Sequence, residues 1–98
     1  MNTARENTIE IRRENRRLDG NKYEYTLTMS VSDMTASFRL PLYSIQVTMT
    51  APNGKQHEAH LTNAFLSQRA ALDFFNRIVE NLATPIDLPF VFEDEMAK

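Results

Sequence analysis

Residues 67–82, SQRAALDFFNRIVENL, carry the clearest pattern in the chain. Ala71, Phe74, Phe75, Ile78, Val79 and Leu82 recur at helical spacing on one face, with Leu72 at its edge, while Asp73, Asn76, Arg77 and Glu80 hold the other. The spacing predicts an amphipathic helix opening at Ser67 as N-cap and stopping before Pro85. A helix with one dry stripe has to lay it on something, and the residues before it read as strands with one apolar face.

In the first half the period changes to two. Ile9 and Ile11 alternate with Glu10 and Arg12, and Tyr23, Tyr25, Leu27, Met29 and Val31 alternate with Glu24, Thr26, Thr28 and Ser30. Between them lies Leu18-Asp19-Gly20-Asn21. A two-residue Asp19-Gly20 turn sets Arg12 opposite Leu27 and mixes the faces, whereas a three-residue loop, Leu18-Asp19-Gly20, sets Ile11 opposite Leu27 and Ile9 opposite Met29. The apolar face favours the longer loop. The same test applies to Tyr43, Ile45, Val47 and Met49 and the returning His57, Ala59 and Leu61. A Pro52-Asn53-Gly54 loop with Gly54 left-handed pairs Met49 with His57, Val47 with Ala59 and Ile45 with Leu61. Two hairpins are predicted, each closed by a bulged three-residue loop.

Phe38, Leu40 and Leu42 have the opposite parity to the strand that follows, and Pro41 lacks a ladder donor, which points to a bulge or an edge there. Phe65 and Leu66 are placed to clamp the entry of the long helix. Asp87 is a candidate cap for a short last helix over 88–96, with Pro89 in its first turn.

Ninety-eight residues make one domain with a modest core, with residues 1–7 expected to fray. Apolar residues at 42% and charged residues at 24% are ordinary for a globular chain. A net charge of −2 leaves no global attraction to nucleic acid or anionic membrane, so contact with either would need a local patch. There is no cysteine, hence no disulfide framework, thiolate metal site or thiol nucleophile. No run is apolar enough for a spanning helix or a signal peptide, and the cytoplasm is the default compartment.

Leu61-Thr62-Asn63, then Pro85-Ile86-Asp87-Leu88, then Val91 and Glu93-Asp94, resemble a family of small Firmicutes proteins of about this length, known only as a domain of unknown function. The likeness in motif covers the last forty residues or so, and the rest in layout. It implies a β-rich first half, one amphipathic helix and a Pro-Ile-x-Leu segment opening a short acidic helix, in an intracellular bacterial setting. It implies no activity and no site residues.

Candidate chemistry is sparse. His57 and His60, three apart on a strand, point to opposite faces and cannot share an ion, so no metal is expected. Asp73 and Glu80 lie on the solvated helix face, and Ser67 is better used as a cap than as a nucleophile. The two glycines, Gly20 and Gly54, belong to turns and leave no phosphate loop. The local positive excess is Arg12, Arg13, Arg16 and Arg17, divided between two faces, and Tyr23 and Tyr25 next to it are candidate stacking rings. The plainer account has Arg13 and Arg17 covering those tyrosines with their stems while their charges protect an edge. Phe90, Val91 and Phe92, three consecutive large apolar residues in a short helix, cannot all face inward: either two of them close the end of the core, or they form an exposed anchor for a partner or a second copy, with Phe90 and Phe92 the leading candidates and Val91 beside them.

The expectation is an α+β domain: an antiparallel sheet of about four strands in two hairpins, one amphipathic helix packed on one face and a short C-terminal helix. The expected role is a small non-enzymatic interaction or structural module without a cofactor and without a membrane. Nucleic-acid binding through the basic first hairpin is the alternative.

Overall fold

The Asp19-Gly20 turn fixes the first hairpin. In the computed structural model Asp19 and Gly20 both have positive φ, 55° and 84°, the combination a two-residue type I′ turn requires. The turn joins β1 (Asn7–Leu18) to β2 (Asn21–Thr35), with Leu18 opposite Asn21. A Cβ on Gly20 would stand 3.1 Å from Pro52 Cγ, so a side chain here would press on the proline ring in addition to the strain of a positive φ. The three-residue loop expected from the apolar pattern is therefore corrected. The extra residue sits in the strand, not in the loop: between Glu10 and Arg12 the register shifts by one, at Ile11. Arg12 consequently lies opposite Leu27, and past the bulge Ile9 reaches Met29 as expected.

The structure describes residues 7–35 and 38–97, with side chains at 8–31 and 40–97. The expectation of fraying at 1–6 lies outside these residues, and Asn7 is already in β1. β2 pairs antiparallel with β3 (Phe38–Thr50), which pairs with β4 (Gln56–Phe65), giving one four-stranded sheet in the order β1-β2-β3-β4. The Pro52-Asn53-Gly54 loop forms as expected. Gly54 has φ 89° and donates its N–H to the Ala51 carbonyl at 2.9 Å, and the pairs Met49–His57, Val47–Ala59 and Ile45–Leu61 all form. Pro41 lies opposite Val31 and two residues beyond the terminal Tyr43–Phe65 pair, where β4 has ended and no ladder donor is needed on that side.

β4 runs further than the alternation suggested. Between Leu61 and Phe65 it accommodates two extra residues, with Asn63 left-handed at φ 51° and donating its N–H to Ser44 Oγ at 2.8 Å. An even insertion preserves side-chain parity, so Phe65 returns to the core face. Leu66 is 66% exposed and does not clamp the helix entry; Phe65 alone turns inward.

α1 (Gln68–Glu80) opens where expected, with Ser67 Oγ accepting the Ala70 N–H at 3.2 Å. It lays Ala71, Phe74, Phe75, Ile78 and Val79 on the sheet face formed by Tyr23, Tyr25, Leu27, Tyr43, Ile45 and Val47, all buried. The molecule is two layers deep, 49 × 37 × 18 Å. Tyr25 ties the layers together: its hydroxyl donates to the Ala83 carbonyl at 2.9 Å, just past the end of α1.

Burial, reinforced by the neighbouring Tyr23 and opposed by Arg16, pushes the Tyr25 hydroxyl up to about 12 from its ordinary 10.0. The unfolded chain thus loses this proton first as pH rises. Stability should fall between those two values, by at most about 1.4 kcal/mol per pH unit from this residue, and be unaffected by it below them. Tyr25→Phe should cost roughly 1–2 kcal/mol near neutral pH, because it leaves a buried carbonyl unpaired, and should flatten the alkaline decline. Urea unfolding of both proteins near neutrality and between the two pKa values checks this; an alkaline decline of equal depth in the variant would refute it.

Candidate functional site

The C-terminal ledge begins at the end of α1. Leu82 takes a left-handed conformation, φ 53°, and donates its N–H to the Val79 carbonyl, while Ala83 donates to Ile78. These are the two bonds of a Schellman stop, built here on leucine where glycine is usual. The chain then enters a second capping device. Thr84 Oγ1 accepts the Asp87 N–H at 3.1 Å, and Asp87 Oδ2 accepts the Thr84 N–H at 3.2 Å. This reciprocal pair is a capping box with Pro85 at the first helical position. Ala83 and Leu88, which flank the box, are both buried.

Asp87 was expected to cap α2 (Leu88–Met96) directly; it makes no such bond and closes the box one turn earlier. Leu88 donates to the Thr84 carbonyl at 3.0 Å, so the helical turn starts at Thr84. Pro89 has no N–H for the Pro85 carbonyl, which interrupts the ladder before it resumes at Val91.

This entry decides which way the three apolar residues of α2 point. Leu88 is fully buried, and Val91 and Phe92 pack against the core. Phe92 meets Phe65 edge-on at 5.6 Å between ring centroids and Phe74 at 6.0 Å. Of the two expected readings, Phe92 and Val91 follow the one that closes the end of the core: both are half-buried and packed against it, which removes them as exposed anchors. Phe90 is 65% exposed, as an anchor requires. Ile86, which the sequence reading did not single out, is 76% exposed and one helical turn before Phe90, on the same side. The signal was present: with Thr84 as cap, residues 86 and 90 share a stripe with Glu93, away from Leu88 and Phe92. Glu95 is held by Arg77 of α1, whereas Glu93 and Asp94 make no ion pair among the described residues.

The arginine strand is differently placed from its expected role. By register Arg12 and Arg16 lie on the helix-bearing face, opposite Leu27 and Tyr23, and Arg13 and Arg17 lie on the other, opposite Thr26 and Lys22. Arg13 and Arg17 therefore do not cover the tyrosines. Tyr23 and Tyr25 are buried with ring centroids 6.5 Å apart, stacked on each other and closed to a base. Arg12 reaches Asn76 Oδ1 at 3.5 Å, Arg16 reaches Glu14 at 3.2 Å, and Arg13 binds Glu10 and Glu24. The hydrogen bond from Arg13 holds the Glu10 carboxyl below its ordinary range. The four arginines thus form no common surface with stacking rings.

His57 is exposed opposite Met49, and His60 Nε2 lies 3.3 Å from Glu58. Among the described residues no group of three His, Cys, Asp or Glu is placed to hold a metal ion, and no helix is long and apolar enough to cross a membrane.

A four-stranded antiparallel meander carrying an amphipathic helix and a short capped helix on one face defines an α+β domain. Residues 5–98 match a family of unknown function, DUF6514, and the chain belongs to that family. No curated protein and no solved structure matches it.

The two phenylalanines of α2 should separate in a stability measurement. Phe92→Ala should cost roughly 2–3 kcal/mol of unfolding free energy. Phe90→Ala should stay within about 0.5 kcal/mol of the parent. Denaturant titration of both variants reads the difference; comparable losses would place Phe90 in the core.

Proposed function

We propose that the protein is a non-enzymatic interaction module of the Firmicutes cytoplasm that captures a protein partner on the α2 ledge. The observation that carries this reading is the pairing of Ile86 and Phe90, 76% and 65% exposed, on one side of a turn locked by the Thr84–Asp87 box. Large apolar side chains held rigidly in water are what an anchor needs, since little conformational entropy is lost on docking. Glu93 and Asp94 flank them with no ion pair among the described residues, so the matching surface is an apolar pocket rimmed by lysine or arginine. The half-buried Phe92 beneath, packed on Phe65 and Phe74, gives the ledge its footing.

A photo-crosslinking residue placed at position 90 should yield a discrete adduct in cells, while the same residue at Asp73, on the exposed face of α1, should not. The adduct should disappear with Ile86→Glu and weaken with Glu93→Lys plus Asp94→Lys, because the partner's rim is basic. No adduct from position 90, or one indifferent to these changes, would refute the ledge. An adduct of twice the chain mass would replace the outside partner with a second copy.

A further inference from the structure

The face of the sheet turned away from the helices carries a cleft of about 600 Å³ at the end where the two tight turns meet. It is separate from the α2 ledge, and its floor is a row that crosses all four strands. Arg17 lies opposite Lys22, Lys22 opposite Thr50, and Thr50 opposite Gln56. All four side chains carry N–H or O–H donors. Gln56 Nε2 donates to Thr50 Oγ1 at 3.3 Å, which leaves the threonine hydroxyl proton to point elsewhere.

The charge of this row is unbalanced. Arg17 and Lys22 sit next to the closing pair of a two-residue turn, a non-hydrogen-bonded position where facing side chains come closest. Like charges directly opposite each other on a sheet are destabilising. Neither cation has an ion pair among the described residues. Glu24 is the one carboxylate lining the cleft, and Arg13 already engages it from the far side while also binding Glu10. Edge protection accounts for an arginine on β1, the outer strand, but not for a lysine facing it on β2, which has neighbours on both sides.

The geometry points to this cleft as a binding site for a small phosphate-bearing molecule. A guanidinium offers a phosphate two parallel donors, an ammonium adds a compact charge beside it, and the Thr50 hydroxyl and Gln56 amide extend the donor row. The volume falls within the range of small-molecule sites and exceeds what one bare phosphate fills, so the ligand carries a further polar body over Thr48 and Thr50. A polynucleotide is disfavoured because the nearby rings, Tyr23 and Tyr25, are buried and offer no stacking platform.

The test uses the full chain and inorganic pyrophosphate as probe, with sulfate as the charge control. Titration followed by amide NMR at near-physiological salt should give saturable shifts at Lys22, Thr50 and Gln56, with sulfate weaker. Lys22→Ala should lose on the order of tenfold in affinity. Arg17→Glu should abolish binding and at the same time raise the melting temperature, since it turns a repulsive cross-strand pair into an attractive one. A purely structural pair would show the stability gain with no pyrophosphate shifts in the parent, and that result overturns the site. Shifts that persist unchanged in Arg17→Glu overturn it as well. So does a short RNA oligonucleotide that binds, with steep salt dependence, where pyrophosphate does not.

Discussion

One helix is narrower than four strands. An α-helix with its side chains is about 10–12 Å across, while four strands at ~4.8 Å spacing present a wider surface, so one layer cannot fully cover the other. α1 therefore rests over the apolar centre of the sheet, where Tyr25, Leu27, Ile45 and Val47 are buried, and covers the outer strands less fully. β1 answers with charge: Arg12, Glu14 and Arg16 stand on the helix-bearing side, with Arg12 reaching back to α1 at Asn76. At the other margin Phe65 on β4 meets Phe74 of α1 at 5.3 Å between ring centroids, and Phe92 of α2 packs edge-on against both. The second helix is the part that completes a cover the first is too slim to make.

That arrangement depends on bringing the chain from α1 to α2 within a few residues. Two devices follow one another without a spacer, the left-handed stop at Leu82 and the Thr84–Asp87 box. Between them Ala83 is buried and its carbonyl receives the Tyr25 hydroxyl. The corner is thus anchored to the middle of the sheet, and the outward aim of Ile86 and Phe90 follows from it. Leu82 takes a conformation that leucine seldom adopts, which shows that the surrounding bonds outweigh local preference there.

Much of this was legible in the residues. Period-two alternation marked the strands, the 71-74-75-78-79 spacing marked α1, and Pro52-Asn53-Gly54 sufficed to pin the second hairpin. The first hairpin was misread because an extra residue in the loop and an extra residue at Ile11 give the same Ile9–Met29 pairing; they differ only between the two positions. The row of Arg17 and Lys22 was hidden by that choice, since a three-residue loop would have set Arg16 against Lys22 instead. For α2, Asp87-Leu88-Pro89 imitates a cap followed by a first-turn proline and masks the Thr84-Pro85-Ile86-Asp87 box one turn earlier. The direction of three consecutive apolar residues depends on where the helix begins, so the pattern alone leaves open which of Phe90, Val91 and Phe92 close the core, and the contacts of Phe92 with Phe65 and Phe74 decide it.

Strand order here is chain order, β1-β2-β3-β4, and this bears on how the molecule is made. Each strand can zip onto the one synthesised just before it, so the sheet needs only local loop closures and can grow as the chain emerges. The helix that dries its apolar face comes last, and the Tyr25–Ala83 bond that seals the layers spans 58 residues. Until then a finished sheet shows Tyr25, Leu27, Ile45 and Val47 to solvent. On such a sheet the charges along β1 would guard the open margin against pairing with another chain, a use of those residues distinct from any contact they make in the folded molecule.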